Sequence, residues 1–188
     1  MFEGYKTKSG LVVVFTGEGK GKTSAGLGLL ARALGTGWRV AFIQFIKHWE
    51  VGEHQFLKDL QSVYPDHLVF KKGGKGFYQA GGLSAKGVST AQHKQAAINT
   101  YEQALTAVSS GQFQLVVCDE INNAVHDKLL SLAQLEKLIK SKHSDTNLCL
   151  TGRDFPKSLL PMVDIATNMA KIKHHFDDKY LANKGIDY

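Results

Sequence analysis

Cysteine is nearly missing from this sequence: Cys118 and Cys149 are the only two in 188 residues. Each sits inside a short apolar run (LVVCDE and NLCLTG), where a thiol behaves as a small hydrophobe. Neither a disulfide framework nor a cysteine zinc cluster is therefore expected. Proline is also scarce, with three residues, and none of them gathers into a linker. No stretch approaches the ~18 consecutive apolar residues of a membrane span, and the opening MFEGYK lacks the apolar core of a secretory signal. These absences predict a cytoplasmic protein with no membrane segment. Internal repeats, low-complexity tracts and a change of composition between the halves are missing too. A chain with 43% apolar and 21% charged residues is then read as one globular domain, 1–188. At this length about 70% of the unfolded surface can be buried without staples.

What is present is glycine, a net charge of +6 and an alternation of two patterns. Positive charge fits nucleic acid, an acidic membrane surface or a polyanionic small molecule, and by itself selects none. Short apolar runs recur at 11–15 (LVVVF), 40–45 (VAFIQF), 67–70, 113–118 and 147–150. They have strand length and mostly lack polar alternation, as strands buried on both faces of a parallel sheet do. Helical spacing links Lys22, Leu27, Leu30 and Leu34 up to Gly35 or Gly37. It recurs through Ala97, Ile98, Tyr101, Ala104, Leu105 and Val108, with Gly111 as a stop, and through Leu132, Leu135, Leu138 and Ile139. Strands alternating with helices predict an α/β fold: three layers, a mostly parallel sheet and helices on both faces. Ligands bind such sheets at the carboxyl ends of the strands. The segment 71–89 has six glycines and four lysines in 19 residues with no periodicity, and reads as a ligand-covering loop.

The first strand leads straight into Gly17, Glu18, Gly19, Lys20, Gly21, Lys22, Thr23 and Ser24, then a helix. This is the setting of a phosphate-binding loop, and it predicts a P-loop NTPase fold of RecA-like type. Glycines let successive N–H groups face a phosphate, the helix N-terminus adds partial positive charge, Lys22 supplies a cation and Thr23 offers a hydroxyl to Mg²⁺. The usual spacing places glycine where this chain has Thr16, so counted from Gly17 the loop is one residue short. Further along, LVVCDE ends an apolar strand in Asp119 and Glu120. Behind a P-loop, acids at that place are the natural arm for Mg²⁺, directly or through water.

Taken together, TGEGKGKTSAGLGLLARALGTGWRVAFIQFIKHWEVGE, GKGF, LVVCDEIN, LTGR, VDIATNM, KHHF and GIDY resemble the P-loop class of cob(I)alamin, or corrinoid, adenosyltransferases. The blocks occur in family order from about residue 11 to residue 188. The resemblance implies an enzyme of adenosylcobalamin biosynthesis or salvage. It would transfer the 5′-deoxyadenosyl group of ATP to Co(I) of a corrinoid such as cobalamin and release triphosphate. It implies Mg²⁺, an electron-donating flavoprotein or reduced flavin, and a homodimer. Carried over by motif, residues 17–24 correspond to the triphosphate cradle, with Lys22, Thr23 and Glu120 as the catalytic set and Thr23, Asp119 and Glu120 at the metal. Gln44, Lys47 and Trp49 fall in the QFIK block near the active face, and Arg153 of TGR at the nucleotide. Phe77 corresponds to the first of the aromatics that close under the corrinoid so that its lower ligand leaves.

The chain departs from the family pattern at a few places. Gln79 stands where a tryptophan is frequent, with Tyr78 beside it, which bears on displacement of the lower ligand. Asn168 stands where glutamate is common, and residues 178–184 (DKYLANK) lack the usual alanine–glutamine pair before GID. Other readings remain open at this stage: a P-loop ATPase, or a nucleotide-dependent corrinoid-binding module without adenosyl transfer. Of eight histidines only His174 and His175 are neighbours, and a strand would point them apart, so no histidine metal site is expected. Lys71, Lys72 and Lys75 beside Phe77 and Tyr78 resemble a single-strand nucleic-acid surface, but an anionic corrinoid side chain explains them equally, and no nucleic-acid partner is expected.

Overall fold

The protein is described here by a computed structural model covering residues 3–46, 50–76 and 87–188. Six strands form one sheet: β1 (Val12–Thr16), β2 (Val40–Gln44), β3 (Leu68–Lys72), β4 (Leu115–Asp119), β5 (Asn147–Thr151) and β6 (Ile165–Asn168). Their order is β3-β2-β4-β5-β1-β6, and every pairing is parallel. The helices are α1 (Lys22–Gly35), α2 (Gly52–Val63), α3 (Thr90–Ser109), α4 (Ile121–His126) and α5 (Leu132–Lys140).

The continuous apolar runs are explained by burial on both faces. Along β2 and β4, Val40, Phe42, Leu115 and Val117 face one way, with Leu30, Ala33 and Leu34 of α1 and Leu57 of α2. Ala41, Ile43, Val116 and Cys118 face the other, with Ala97, Tyr101 and Ala104 of α3 and Leu135 and Leu138 of α5. This is the two-residue side-chain period of a strand, doubled because both layers are apolar. Each fully buried leucine or valine contributes about 1.5–3 kcal/mol relative to exposure.

The expected strands are all present, each within two residues of the expected ends. β6 and helices α2 and α4 were not anticipated. β6 is exposed at all four residues and carries no core face, so hydrophobicity does not mark it. In α2 only His54 and Leu57 are buried, too thin a stripe to stand out. The start of α3 lies seven residues before the first expected contact, Ala97, and is set by a capping box: Ser89 Oγ accepts from Gln92 N (3.2 Å) while Ser89 N donates to Gln92 Oε1 (2.8 Å). Ser131 and Gln134 repeat the device at α5.

Register brings the site together. Gln44 pairs with Asp119 across β2 and β4, and Thr16 with Asn168 across β1 and β6, so the carboxyl ends of neighbouring strands finish side by side.

Candidate active site

Leaving β1, the chain enters the glycine-rich loop with Gly17 at φ 101° and returns to helix at Gly21 with φ 100°. Side chains resist this left-handed backbone, so glycine at these two places is what lets the loop curl. Gly21 is the N-cap of α1 and has no side chain with which to cap the first-turn N–H groups, which in any helix lack an intrahelical acceptor. The loop leans on the segment after β6: Gly19 N donates to Met169 O (2.7 Å), and Met169 N to Thr16 O (2.8 Å). Contact is close enough that a Cβ on Gly17 would lie 2.3 Å from Asn168 Oδ1.

Lys22 folds back over this loop. Its Nζ donates to Gly17 O (2.7 Å) and Gly19 O (2.5 Å), which holds the ammonium at the loop's centre. Partial burial, and next the Arg153 charge, hold its pKa below the ordinary lysine value. An anion beside it would relieve both effects.

Asp119 ends β4 fully buried. Three side chains serve its carboxylate: Gln44 Nε2 donates to Oδ2 (2.9 Å), Thr23 Oγ1 to Oδ2 (3.3 Å) and Thr151 Oγ1 to Oδ1 (2.6 Å). Thr151 also accepts from Glu120 N (2.9 Å), so one hydroxyl joins the ends of β4 and β5. Glu120 itself sits at φ 61° as N-cap of α4. A non-glycine residue there carries strain of order 1–3 kcal/mol, the kind of backbone that clusters at functional positions.

This set suits a hard divalent cation. Thr23 gives its proton to Asp119, leaving its oxygen lone pairs for a ligand. Asp119 is an acceptor-only group held in place, and Glu120 is a second carboxylate next to it. Among the described residues, the cations on the other side are Lys20, Lys22 and Arg153. Arg153 follows Gly152 (φ 127°); its N–H donates to Asn123 Oδ1 (2.6 Å), and its guanidinium pairs with Glu18 at 3.4 Å. Both partners of that pair are more than half exposed, so it is weak and easily exchanged for another anion. Lys20 pairs with Asp187, whose Oδ2 accepts from Asn183 N (2.7 Å) and lies 3.5 Å from His175 Nε2. A groove of about 290 Å³ runs along the outer side of the loop, lined by Gly19, Lys20 and the segment 170–175.

The arrangement is one of donors and cations facing carboxylates at the mouth of a parallel sheet, suited to binding and orienting a polyphosphate. The profile of the family described as ATP:corrinoid adenosyltransferase BtuR/CobO/CobP matches residues 8–188. The chain belongs to that family. Among similar proteins is a corrinoid adenosyltransferase of Sinorhizobium sp, 30% identical, with 96% of this chain and 81% of that one aligned. Corrinoid adenosyltransferase CobA of Salmonella typhimurium is 30% identical over 95% and 86%, and that of Pseudomonas aeruginosa 30% over 97% and 86%.

Of the adenosyltransferase residues expected from sequence, Gly17–Ser24, Gln44, Asp119, Glu120 and Arg153 converge at one end of the sheet. Gln44 does so as a fully buried group bonded to Asp119 and to His54. Lys47, Trp49 and Phe77, with Tyr78 and Gln79, lie outside the described residues. His174 and His175, for which no strand was assigned, are not on one. They enter a 3-10 turn (His175–Asp178), and their ring centroids are 4.8 Å apart. Sequence reasoning missed His54 and Asp187 as site-linked residues. His54 offers no local signal, whereas Asp187 lay within the GIDY block.

Proposed function

We propose that this adenosyltransferase family member transfers the 5′-deoxyadenosyl group of ATP to Co(I) of a corrinoid. The cobalt's electron pair forms the Co–C5′ bond, the C5′–O bond breaks, and its pair leaves on the oxygen of inorganic triphosphate. Co(I) is itself the nucleophile, so no side-chain base is required. The chain's task is to hold C5′ in line and to stabilise the departing charge.

In this reading the loop N–H groups, Lys22 and Lys20 receive the triphosphate, and Arg153 exchanges Glu18 for it. Mg²⁺, when bound, supplies charge beside the leaving oxygens; Thr23, Asp119 and Glu120 would hold it. Gln44 supports Asp119 from below. Lys47, Trp49 and Phe77 act at the corrinoid face, and Gln79 in place of tryptophan makes formation of Co(I) from Co(II) the demanding stage. The reading includes a reduced flavin or flavoprotein as electron source, a homodimer as the working assembly and the cytoplasm as its location.

The observation that carries this reading is the junction of a short P-loop with the buried Asp119 network in a chain matched to the family from residue 8 to residue 188. Anaerobic mixing of the purified protein with Mg-ATP and chemically generated Co(I) cobalamin tests it. A light-sensitive alkylcobalt spectrum and stoichiometric triphosphate are expected. ADP and phosphate without alkylcobalt would replace this reading with a P-loop ATPase.

A further inference from the structure

Behind Asp119 runs a second layer of buried polar groups that the reaction itself does not use. His54, in the first turn of α2, is fully buried. Its Nδ1 accepts the N–H of Val51, the N-cap residue of α2, at 3.4 Å. Its Nε2 meets Gln44 Oε1, and Gln44 Nε2 donates to Asp119 Oδ2 at 2.9 Å.

The direction of each bond follows from the first. A backbone N–H can only donate, so Nδ1 must present its lone pair, and in a neutral imidazole the proton then sits on Nε2. Nε2 therefore donates to Gln44, which makes the facing Gln44 atom the carbonyl oxygen and turns the NH₂ toward Asp119. The opposite amide orientation would press a carbonyl oxygen against a buried carboxylate and leave the imidazole N–H facing an N–H. Glu50 Oε2 lies 3.9 Å from Nδ1, at ion-pair distance but beyond hydrogen-bond reach, and Glu50 is engaged by Lys58 (3.1 Å) and Lys72 (3.2 Å).

We infer that His54 is a positioning residue for the metal arm: capped into α2 on one side, it sets the Gln44 orientation that steadies Asp119. The inference rests on the reading of Asp119 as a Mg²⁺-holding group. It also couples the start of α2 to the phosphate site, since one imidazole serves both. Outer partners of this kind typically change metal affinity about 10–100-fold when removed.

Mn²⁺ with inorganic triphosphate, followed by electron paramagnetic resonance, provides the test without turnover. His54→Leu fills the buried space but donates nothing, and weakens Mn²⁺ binding about 10-fold. His54→Gln can accept from Val51 with Oε1 and donate to Gln44 with Nε2, and restores binding to within about 3-fold of the parent, a smaller loss than the low end of that range. Wild-type Mn²⁺ affinity in a folded His54→Leu protein would overturn the inference, as would equal loss in both variants. Should His54→Leu fail to fold, ¹⁵N NMR of the unmodified protein decides: an Nε2–H tautomer at His54 is expected, and an Nδ1–H tautomer overturns it. Asp119→Asn separates the two levels. Weak Mn²⁺ binding there beside normal binding in His54→Leu sinks only the role of His54. Normal binding in Asp119→Asn sinks the metal arm and this inference with it.

Discussion

Strands β4 and β6 run parallel in one sheet, yet every residue of β4 is buried and every residue of β6 is exposed. Both end beside the phosphate loop. β4 delivers Asp119 from inside the core, with its carboxylate held by three donors. β6 delivers the Met169 carbonyl from a surface edge, held to the loop through two backbone bonds. The site thus has one wall whose position is fixed by packing on both faces and one wall, β6, that carries no buried face and is held mainly by main-chain pairing, with Asp164 before it bonded to Lys8 and Val12 N. A group that must present charge at a constant place belongs on the first.

The sharpest break in this comparison comes at Lys22, which lies between the two walls. On the proposed reading, Lys22→Ala removes a cation from the leaving triphosphate and lowers kcat about 10²–10³-fold, the usual scale for losing one such donor. Its bonds go to loop carbonyls rather than to the core, so the thermal midpoint is expected to stay near that of the parent protein. Alkylcobalt formation and a melt of the same sample measure both. Retained activity would remove the proposed cradle.

Substitutions within the strands come next. Leu115→Ala in β4 deletes a side chain buried between layers and costs about 2–5 kcal/mol. Ile165→Ala in β6, 46% exposed, costs about 1 kcal/mol or less. Urea midpoints at matched slopes report the two values, and equal losses would show that β6 is covered in solution.

The smallest effect concerns Asp164, one residue before β6. Lys8, and next the Val12 N–H (2.8 Å), hold its carboxyl below the usual carboxylate range. A lowered folded value means the ionised group favours the fold. Its contribution is complete above the unfolded value of about 4 and is lost as pH falls through the lowered one. Asp164→Asn is therefore expected to shrink the stability difference between pH 7 and pH 3, read from urea melts at each pH. An unchanged acid limb would count against the Lys8 contact.

Five strands, three helices and the loop at Gly17 were legible because each writes its own signal: apolar runs, a 3.6-residue period, glycines before GKT. Asp119 was legible as an acid ending such a run. β6 was not, since its pairing uses backbone atoms that every sequence possesses. Neither was α2, whose buried face is little more than His54 and Leu57. The QFIK block marked Gln44 as near the active face, but not as a group turned inward. Nothing in a linear pattern says that residues 44, 54 and 119 will be neighbours.

Local chemistry therefore determined, from the sequence alone, the alternation of strands and helices, the phosphate loop and the family resemblance. Those depend on contacts between residues close in the chain, or on residue types in a fixed spacing. The tertiary structure alone decided that Thr23, Gln44, Asp119 and Thr151 share one carboxylate, that Lys20 meets Asp187 and that His54 stands behind the site. Such partners lie on different elements: the parallel register, set by burying both faces of the sheet, brings Gln44, Asp119 and Thr151 together, and helices α1 and α2, the glycine loop and the C-terminal turn carry the others to them.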